Sequence, residues 1–290
     1  MKSIVTIFIA VAISFVSSDD DYEIFTMDQY DTNEIEPVRT APPYNADEEP
    51  MVEVDGIPMV SIRINGKPSG VGVIIAPQFL LTAWTNLRRS PKNNITIVAR
   101  LGFGDIAPSL TFSIKDVRRH FDFEVRRPAN GVSRPINDIA VVRINGNFSV
   151  DPGRIMMLPM VEQGYEIPVD HVGEVLGFGP NETPEEGDFI ILGQKDCEKR
   201  YFNQGGPYNG EICAIGASNP EIPANMCDGD EGSPLIYEQY LVGIATWLFD
   251  CDTDGKTKNP AVFTPIGRYR RWIDSVMKEM LSNGGIQTTQ

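Results

Sequence analysis

Short apolar runs alternate with polar positions along most of the chain, and turn-forming residues separate them. Pro58-Met-Val-Ser-Ile-Arg-Ile64 repeats with a period of two, and Asn65-Gly66 follows it. That period marks a half-buried strand, and Asn-Gly accepts the positive φ angles of a tight hairpin. Val71 to Ile75 and Phe79 to Ala83 are the next runs. Ile95 to Leu101, Ile139 to Ile144, Val172 to Phe178, Asp188 to Leu192 and Leu241 to Trp247 continue the series. Many short strands at such spacing predict an all-β barrel or sandwich. One helix stands out. Tyr269, Trp272, Ile273, Val276, Met277 and Met280 recur on one face at helical spacing, which predicts a terminal helix packed on the core.

The pattern stops at both ends. Residues 51–281 hold every predicted element and suffice for one β domain, and residues 282–290 form a short tail. Residues 19–50 are polar and acidic, carry Pro37, Pro42, Pro43 and Pro50, and show no apolar period. Such a segment cannot bury enough surface to offset chain entropy, so an extended or disordered arm is expected. Residues 1–18 read as a secretory signal: Lys2, an apolar core from Ile4 to Val16, and small residues at Ser17 and Ser18. The apolar core is too short for a membrane span, and no later stretch is long enough. The expectation is a secreted protein without a membrane span.

Charge narrows the partners. The formal net charge is −15, and residues 19–55 carry thirteen acidic side chains against one basic one, Arg39. An acidic body disfavours nucleic acid, whose phosphates need cationic neutralisation. Short basic clusters at Arg88-Arg89, Arg118-Arg119, Arg126-Arg127 and Arg268 to Arg271 read as solvated surface. The four cysteines, Cys197, Cys213, Cys227 and Cys251, allow three pairings, and none forms a C-x-x-C pair. The two histidines, His120 and His171, lie far from the cysteines, so neither a metal site nor a cofactor is expected. Asn94, Asn147 and Asn181 head N-x-S/T sequons and are glycosylation candidates or plain turn residues.

Five ordered landmarks carry a family resemblance. Gly70 to Asn86 ends in Leu-Thr-Ala-Trp-Thr-Asn, Asn137-Asp-Ile-Ala-Val-Val142 follows, and Cys227-Asp-Gly-Asp-Glu-Gly-Ser-Pro234 comes next. Thr246-Trp247-Leu248 and Asn259-Pro-Ala-Val-Phe-Thr264 complete the set. Together these resemble the trypsin-like serine proteases over nearly all of the chain beyond the acidic arm. The resemblance implies two packed six-stranded antiparallel barrels closed by a C-terminal helix. It also implies disulfides Cys197–Cys213 and Cys227–Cys251.

The departures fall on the positions that matter for chemistry. The slot of the general-base histidine holds Thr85, and the slot of the nucleophilic serine holds Glu231. Asp138 falls on the family's aspartate, which orients the histidine in active members. Thr85 has no basic lone pair suited to taking a proton near neutral pH. The oxyanion hole falls on the backbone N–H groups of Gly229 and Glu231, where the new carboxylate would oppose developing charge or fill the hole. Gly70 and Asn86 stand where the family has a cysteine pair. Near Ala46 to Glu49 the apolar start that active members expose by cleavage is missing, so Asp230 has no ammonium partner from that route. The pocket positions are Asn225, Thr246, Trp247, Leu248 and Ala261, with Leu248 and Ala261 in glycine slots. The resemblance therefore implies a secreted, catalytically inactive homolog acting by binding an extracellular protein: a cofactor, decoy or regulator in a proteolytic cascade or secreted fluid. The alternatives are an atypical hydrolase using an Asp138/Glu231 carboxylate pair or Ser233, and a structural or storage protein. The sequence leaves oligomeric state open.

Overall fold

The structure is a computed structural model that describes residues 56–101, 108–127, 133–150, 154–179, 182–201, 210–217, 226, 229–247 and 260–282. The signal, the acidic arm, nearly all of the tail, Asn181, Asn225, Leu248 and the Cys227–Cys251 pairing lie outside those residues.

The first barrel comprises β1 (Met59–Ile64), β2 (Lys67–Ala76), β3 (Phe79–Thr82), β4 (Ile95–Arg100), β5 (Ser109–Arg119) and β8 (Ala140–Asn145). These close in the order β1-β2-β3-β8-β5-β4. Between β5 and β8 the chain makes a two-stranded ribbon of β6 (Glu124–Arg126) and β7 (Arg134–Ile136). The second barrel comprises β9 (Val172–Phe178), β10 (Pro184–Leu192), β11 (Ile212–Gly216), β12 (Pro234–Tyr237), β13 (Tyr240–Trp247) and β14 (Ala261–Pro265), closed as β10-β11-β14-β13-β12-β9. All ladders are antiparallel, for example Val175 opposite Gly187 and Leu81 opposite Val141. This is the architecture that the resemblance implies. Closure removes the unpaired strand edges that an open sheet would expose.

Local chemistry explains the joins. Asn65 and Gly66 take φ of 52° and 78°, as the hairpin signal predicts. The β12–β13 turn has the same hand at Glu238 and Gln239, with φ of 47° and 66°, but without the glycine that would have announced it. One apolar core runs through both barrels, joining Val73, Leu81 and Val141 to Leu235, Ile244 and Phe263. The terminal helix α2 (Ile266–Ser282) buries Tyr269, Trp272, Ile273, Val276 and Met280 on that core, while Met277 is only half-buried. Arg143 of β8 donates to the carbonyl of Met280 and so satisfies an end of this helix.

The terminal helix has a companion that the apolar pattern did not announce. α1 (Gln194–Arg200) is polar along its length and buries Cys197. A helix with so narrow an apolar face is held by tertiary ties rather than by amphipathicity. Here the tie is the Cys197–Cys213 disulfide, which joins α1 to β11 as the resemblance implies. It packs with Tyr201, Trp247 and Val262.

Candidate functional site

Where the barrels join, Thr85 bonds to Asp138, and its neighbour Asn86 bonds to the Glu231 carbonyl. Thr85 lies in a short 3-10 turn, Trp84–Asn86, just after β3. Asp138 follows β7, and its neighbour Asn137 takes a left-handed φ of 52°. That conformation is held from two sides: the Tyr269 hydroxyl donates to Asn137 Oδ1 at 2.6 Å, and Asn137 Nδ2 donates to the Asp122 carbonyl at 2.8 Å.

Asp138 is fully buried, and its carboxylate is surrounded by donors. Thr85 N–H donates to Oδ1 at 2.9 Å, and the Thr85 hydroxyl donates to Oδ2 at 2.7 Å. The Thr246 hydroxyl reaches Oδ2 at 3.2 Å. Thr246, expected on the pocket wall, thus turns its polar atom inward to Asp138. Burial pushes the Asp138 carboxyl up from 3.8 to about 6, against the opposing pull of the Thr85 and Thr246 hydrogen bonds and the Arg88 charge. A buried carboxylate with both oxygens bonded to threonines presents nothing to a cleft.

Glu231 sits on the opposing loop, between two glycines in left-handed conformation, Gly229 (φ 107°) and Gly232 (φ 90°). Its side chain folds back so that Gly229 N–H donates to Glu231 Oε2 at 2.9 Å. The carboxylate thus engages one backbone amide of its own loop. Gly232 has no alternative, because a Cβ there would lie 1.9 Å from the Val71 carbonyl oxygen. That close approach lets the Glu231 carbonyl accept from Val71 N–H at 2.9 Å.

Asn86 completes the joint. Its side-chain nitrogen donates to the Glu231 carbonyl at 2.7 Å and to Thr82 Oγ1 at 3.1 Å. Thr82 Oγ1 in turn donates to the Val71 carbonyl at 2.7 Å. A Cβ on Gly70 would lie 2.3 Å from Asn86 Nδ2, so the asparagine amide occupies the space opened by the glycine. The sequence identified these two positions only as a lost cysteine pair. The structure makes them a polar bridge between barrels.

The remaining candidates scatter. Ser233 is fully buried, with its N–H on the Asp230 carbonyl and its own carbonyl accepting from Ala245 N–H, so it faces no groove as a displaced nucleophile would. His120 stacks on Phe121 and meets Tyr269 and Trp272 edge-on; burial, followed by the Arg268 charge, lowers its pKa to about 4. His171 is exposed and lies 3.1 Å from the Val169 carbonyl through Nδ1. Ala261 is buried in β14 opposite Ala214. Trp247, the expected pocket wall, is covered by Arg134, whose guanidinium carbon lies 4.5 Å from the indole centroid and 5.8 Å from that of Tyr201. Arg134 is only 1% exposed. An arginine among scattered surface arginines gave no sequence signal of this role. Asn94 and Asn147 are both exposed, and Asn147 Oδ1 accepts from Ser149 N–H at 2.8 Å, as a turn asparagine does. Among the described residues no group of His, Cys, Asp and Glu is placed to hold a metal, and no helix is long and apolar enough to cross a membrane.

The family model described as Trypsin matches residues 53–273. The chain belongs to the trypsin family. Among curated relatives, trypsin delta of Drosophila melanogaster is 23% identical over 223 residues, 74% of this chain and 81% of that protein. The urokinase-type plasminogen activator of Gallus gallus is 25% identical over 186 residues, 59% of this chain, and the match spans only 40% of that longer protein. A solved structure of a scabies mite inactivated protease paralogue, S-D1, superposes with a TM-score of 0.60 at 20% identity, covering 76% of this chain and 92% of that one. At that identity the likeness shows the trypsin fold alone. The chain keeps the two closed barrels of that fold.

Proposed function

We propose that this trypsin-family chain is a secreted protein that cleaves no peptide bond and acts by binding another extracellular protein, as a cofactor, decoy or regulator of proteolysis. The observation that carries the reading is the Glu231 carboxylate seated on the Gly229 amide. Acyl transfer in this fold needs a hydroxyl nucleophile, a base to take its proton, and free amides to receive the oxyanion. Glu231 supplies no hydroxyl and engages one of those amides. Asp138, the residue that would orient a base, is spent on Thr85 and Thr246. The Arg134 guanidinium over Trp247 adds a further obstruction along the wall where a substrate side chain would lie. The inactivated mite paralogue offers a precedent, by its name, for loss of activity on this fold.

The reading is tested with a serine-directed phosphonate probe on the purified full chain, beside an active trypsin-family control. No covalent adduct on this chain is expected. An adduct abolished by changing a single residue, Ser233 included, would defeat the reading.

A further inference from the structure

We propose that Asn147 carries an N-linked glycan, held beyond the end of β8 that points away from Asp138. The proposal rests on the reading of the chain as secreted, because the sugar donor belongs to the secretory route. It deepens that reading by stating which end of the first barrel is closed to a protein partner.

Asn147-Phe148-Ser149 meets the acceptor pattern, an asparagine two residues before a hydroxyl with no proline between. A tripeptide pattern alone decides little, but the local structure adds three observations. The first is presentation. Phe148 is fully buried, meets Phe112 edge-on with ring centroids 5.0 Å apart, and donates its N–H to the Pro77 carbonyl at 2.7 Å. Asn147 and Ser149, on either side of that anchor, are exposed. The middle residue thus fixes the tripeptide to the core while its two reactive partners stay at the surface.

The second observation concerns the carboxamide. Ser149 N–H donates to Asn147 Oδ1 at 2.8 Å, and among the described residues no hydrogen bond occupies Nδ2. Other asparagine amides of this barrel are engaged. Asn145 Nδ2 donates to Ser113 Oγ at 3.0 Å, Asn137 Nδ2 to the Asp122 carbonyl, and Asn86 Nδ2 to the Glu231 carbonyl. Asn147 Nδ2 is the atom that glycosylation uses. It bonds to C1 of the reducing-end sugar of a lipid diphosphate-linked oligosaccharide. The C1–oxygen bond to the diphosphate breaks, the lipid diphosphate leaves, and the amide gives up one proton. Asn94, the other described candidate, is exposed too, but the hydroxyl residue of its pattern, Thr96, is paired into β4 opposite Arg63 and Ser113.

The third observation is place. β8 begins at Ala140, just after Asp138, and ends at Asn145, just before Asn147. Extended backbone of that length puts its two ends about 17 Å apart. A bulky, polar glycan on Asn147 stands by the β2–β3 turn, whose Gln78 side chain donates to the Gly146 carbonyl at 3.2 Å. It closes that end of the barrel and leaves the corner of Thr85 and Glu231 open.

The test uses the full chain expressed in cultured mammalian cells and recovered from the medium. Peptide N-glycosidase in heavy-oxygen water turns a glycosylated asparagine into labelled aspartate, which peptide mass spectrometry locates. Label at Asn147 in most molecules is expected. Asn147→Gln and Ser149→Ala should each lose the mass of one glycan, and Ser149→Ala keeps the N–H that forms the turn. With isotope-labelled glycine, removing the glycan should leave the Gly229 N–H resonance in place. A secreted chain bare at Asn147, label that survives Ser149→Ala, or a shift at Gly229 overturns the proposal and leaves the absence of catalysis standing. A chain that stays inside the cells, bare at Asn147, overturns this proposal and the secreted reading together.

Discussion

The two barrels carry different ties at corresponding levels of importance. In the second, a covalent bond between Cys197 and Cys213 holds a polar helix that could not hold itself. In the first, the Asn86 amide packs against Gly70 and reaches out of its own barrel to the Glu231 carbonyl. One tie is local and covalent; the other is polar and spans the joint. The difference teaches where the corner around Thr85, Asp138 and Glu231 gets its shape. Among the described residues its geometry rests on Asn86, Gly232 and Asp138, and not on the Cys197–Cys213 disulfide.

Breaking the covalent tie should have the largest effect. Replacing Cys197 and Cys213 by alanine opens a loop with a sequence separation of 16, and the expected loss is about 3 kcal/mol by chemical denaturation. The corner should be untouched, so the titration of Asp138 should not move. A shift in that titration would show that the two ties are coupled.

Asp138→Asn should act with similar size and opposite sign. Folding raises this carboxyl from 3.8 to about 6, so the fold favours its protonated form. Its contribution to stability is therefore full below the unfolded value and falls as pH rises through about 6. Above that range the asparagine variant should be more stable than the parent by up to about 3 kcal/mol. The advantage should vanish on acidification toward pH 4. Both threonine hydroxyls can rotate to accept from the new amide. Equal stability at neutral pH would show that the Thr85 and Thr246 bonds offset burial completely.

Asn86→Ala comes next, at about 2 kcal/mol, because it removes a buried amide that bridges the Glu231 carbonyl and Thr82. Gly70→Ala should be costly alone, because its methyl group would meet the Asn86 amide. It should cost far less beside Asn86→Ala. A double-mutant cycle measures that coupling, and additivity would contradict the bridge.

Much of this molecule was legible in its sequence, for reasons that individual residues make plain. Val172 to Phe178 is legible because its apolar run coincides with β9. β5 was missed because its outward positions, Ser109, Thr111, Ser113 and Lys115, dilute the apolar signal. α1 was missed because its stability comes from a disulfide rather than a periodic face. At the site, Thr85 against Asp138 followed directly from the landmarks. The roles of Asn86, Thr246 and Arg134 did not, because each depends on a partner far along the chain, respectively Glu231, Asp138 and Trp247.

The smallest expected effect is the most local. Glu231→Ala removes a half-exposed carboxylate and should change stability by less than about 1 kcal/mol. It should also free the Gly229 amide, so that acetate shifts the Gly229 N–H resonance in the variant and not in the parent. Equal shifts in both would mean that Glu231 does not guard the amide.

The central claim is that no base and nucleophile act together at this corner. It is tested most directly by incubating the purified full chain with a diverse peptide mixture across neutral and mildly alkaline pH, and reading new termini by mass spectrometry. No cleavage beyond that of a heat-denatured sample is expected. Reproducible cleavage that disappears in Glu231→Gln or Ser233→Ala would contradict it.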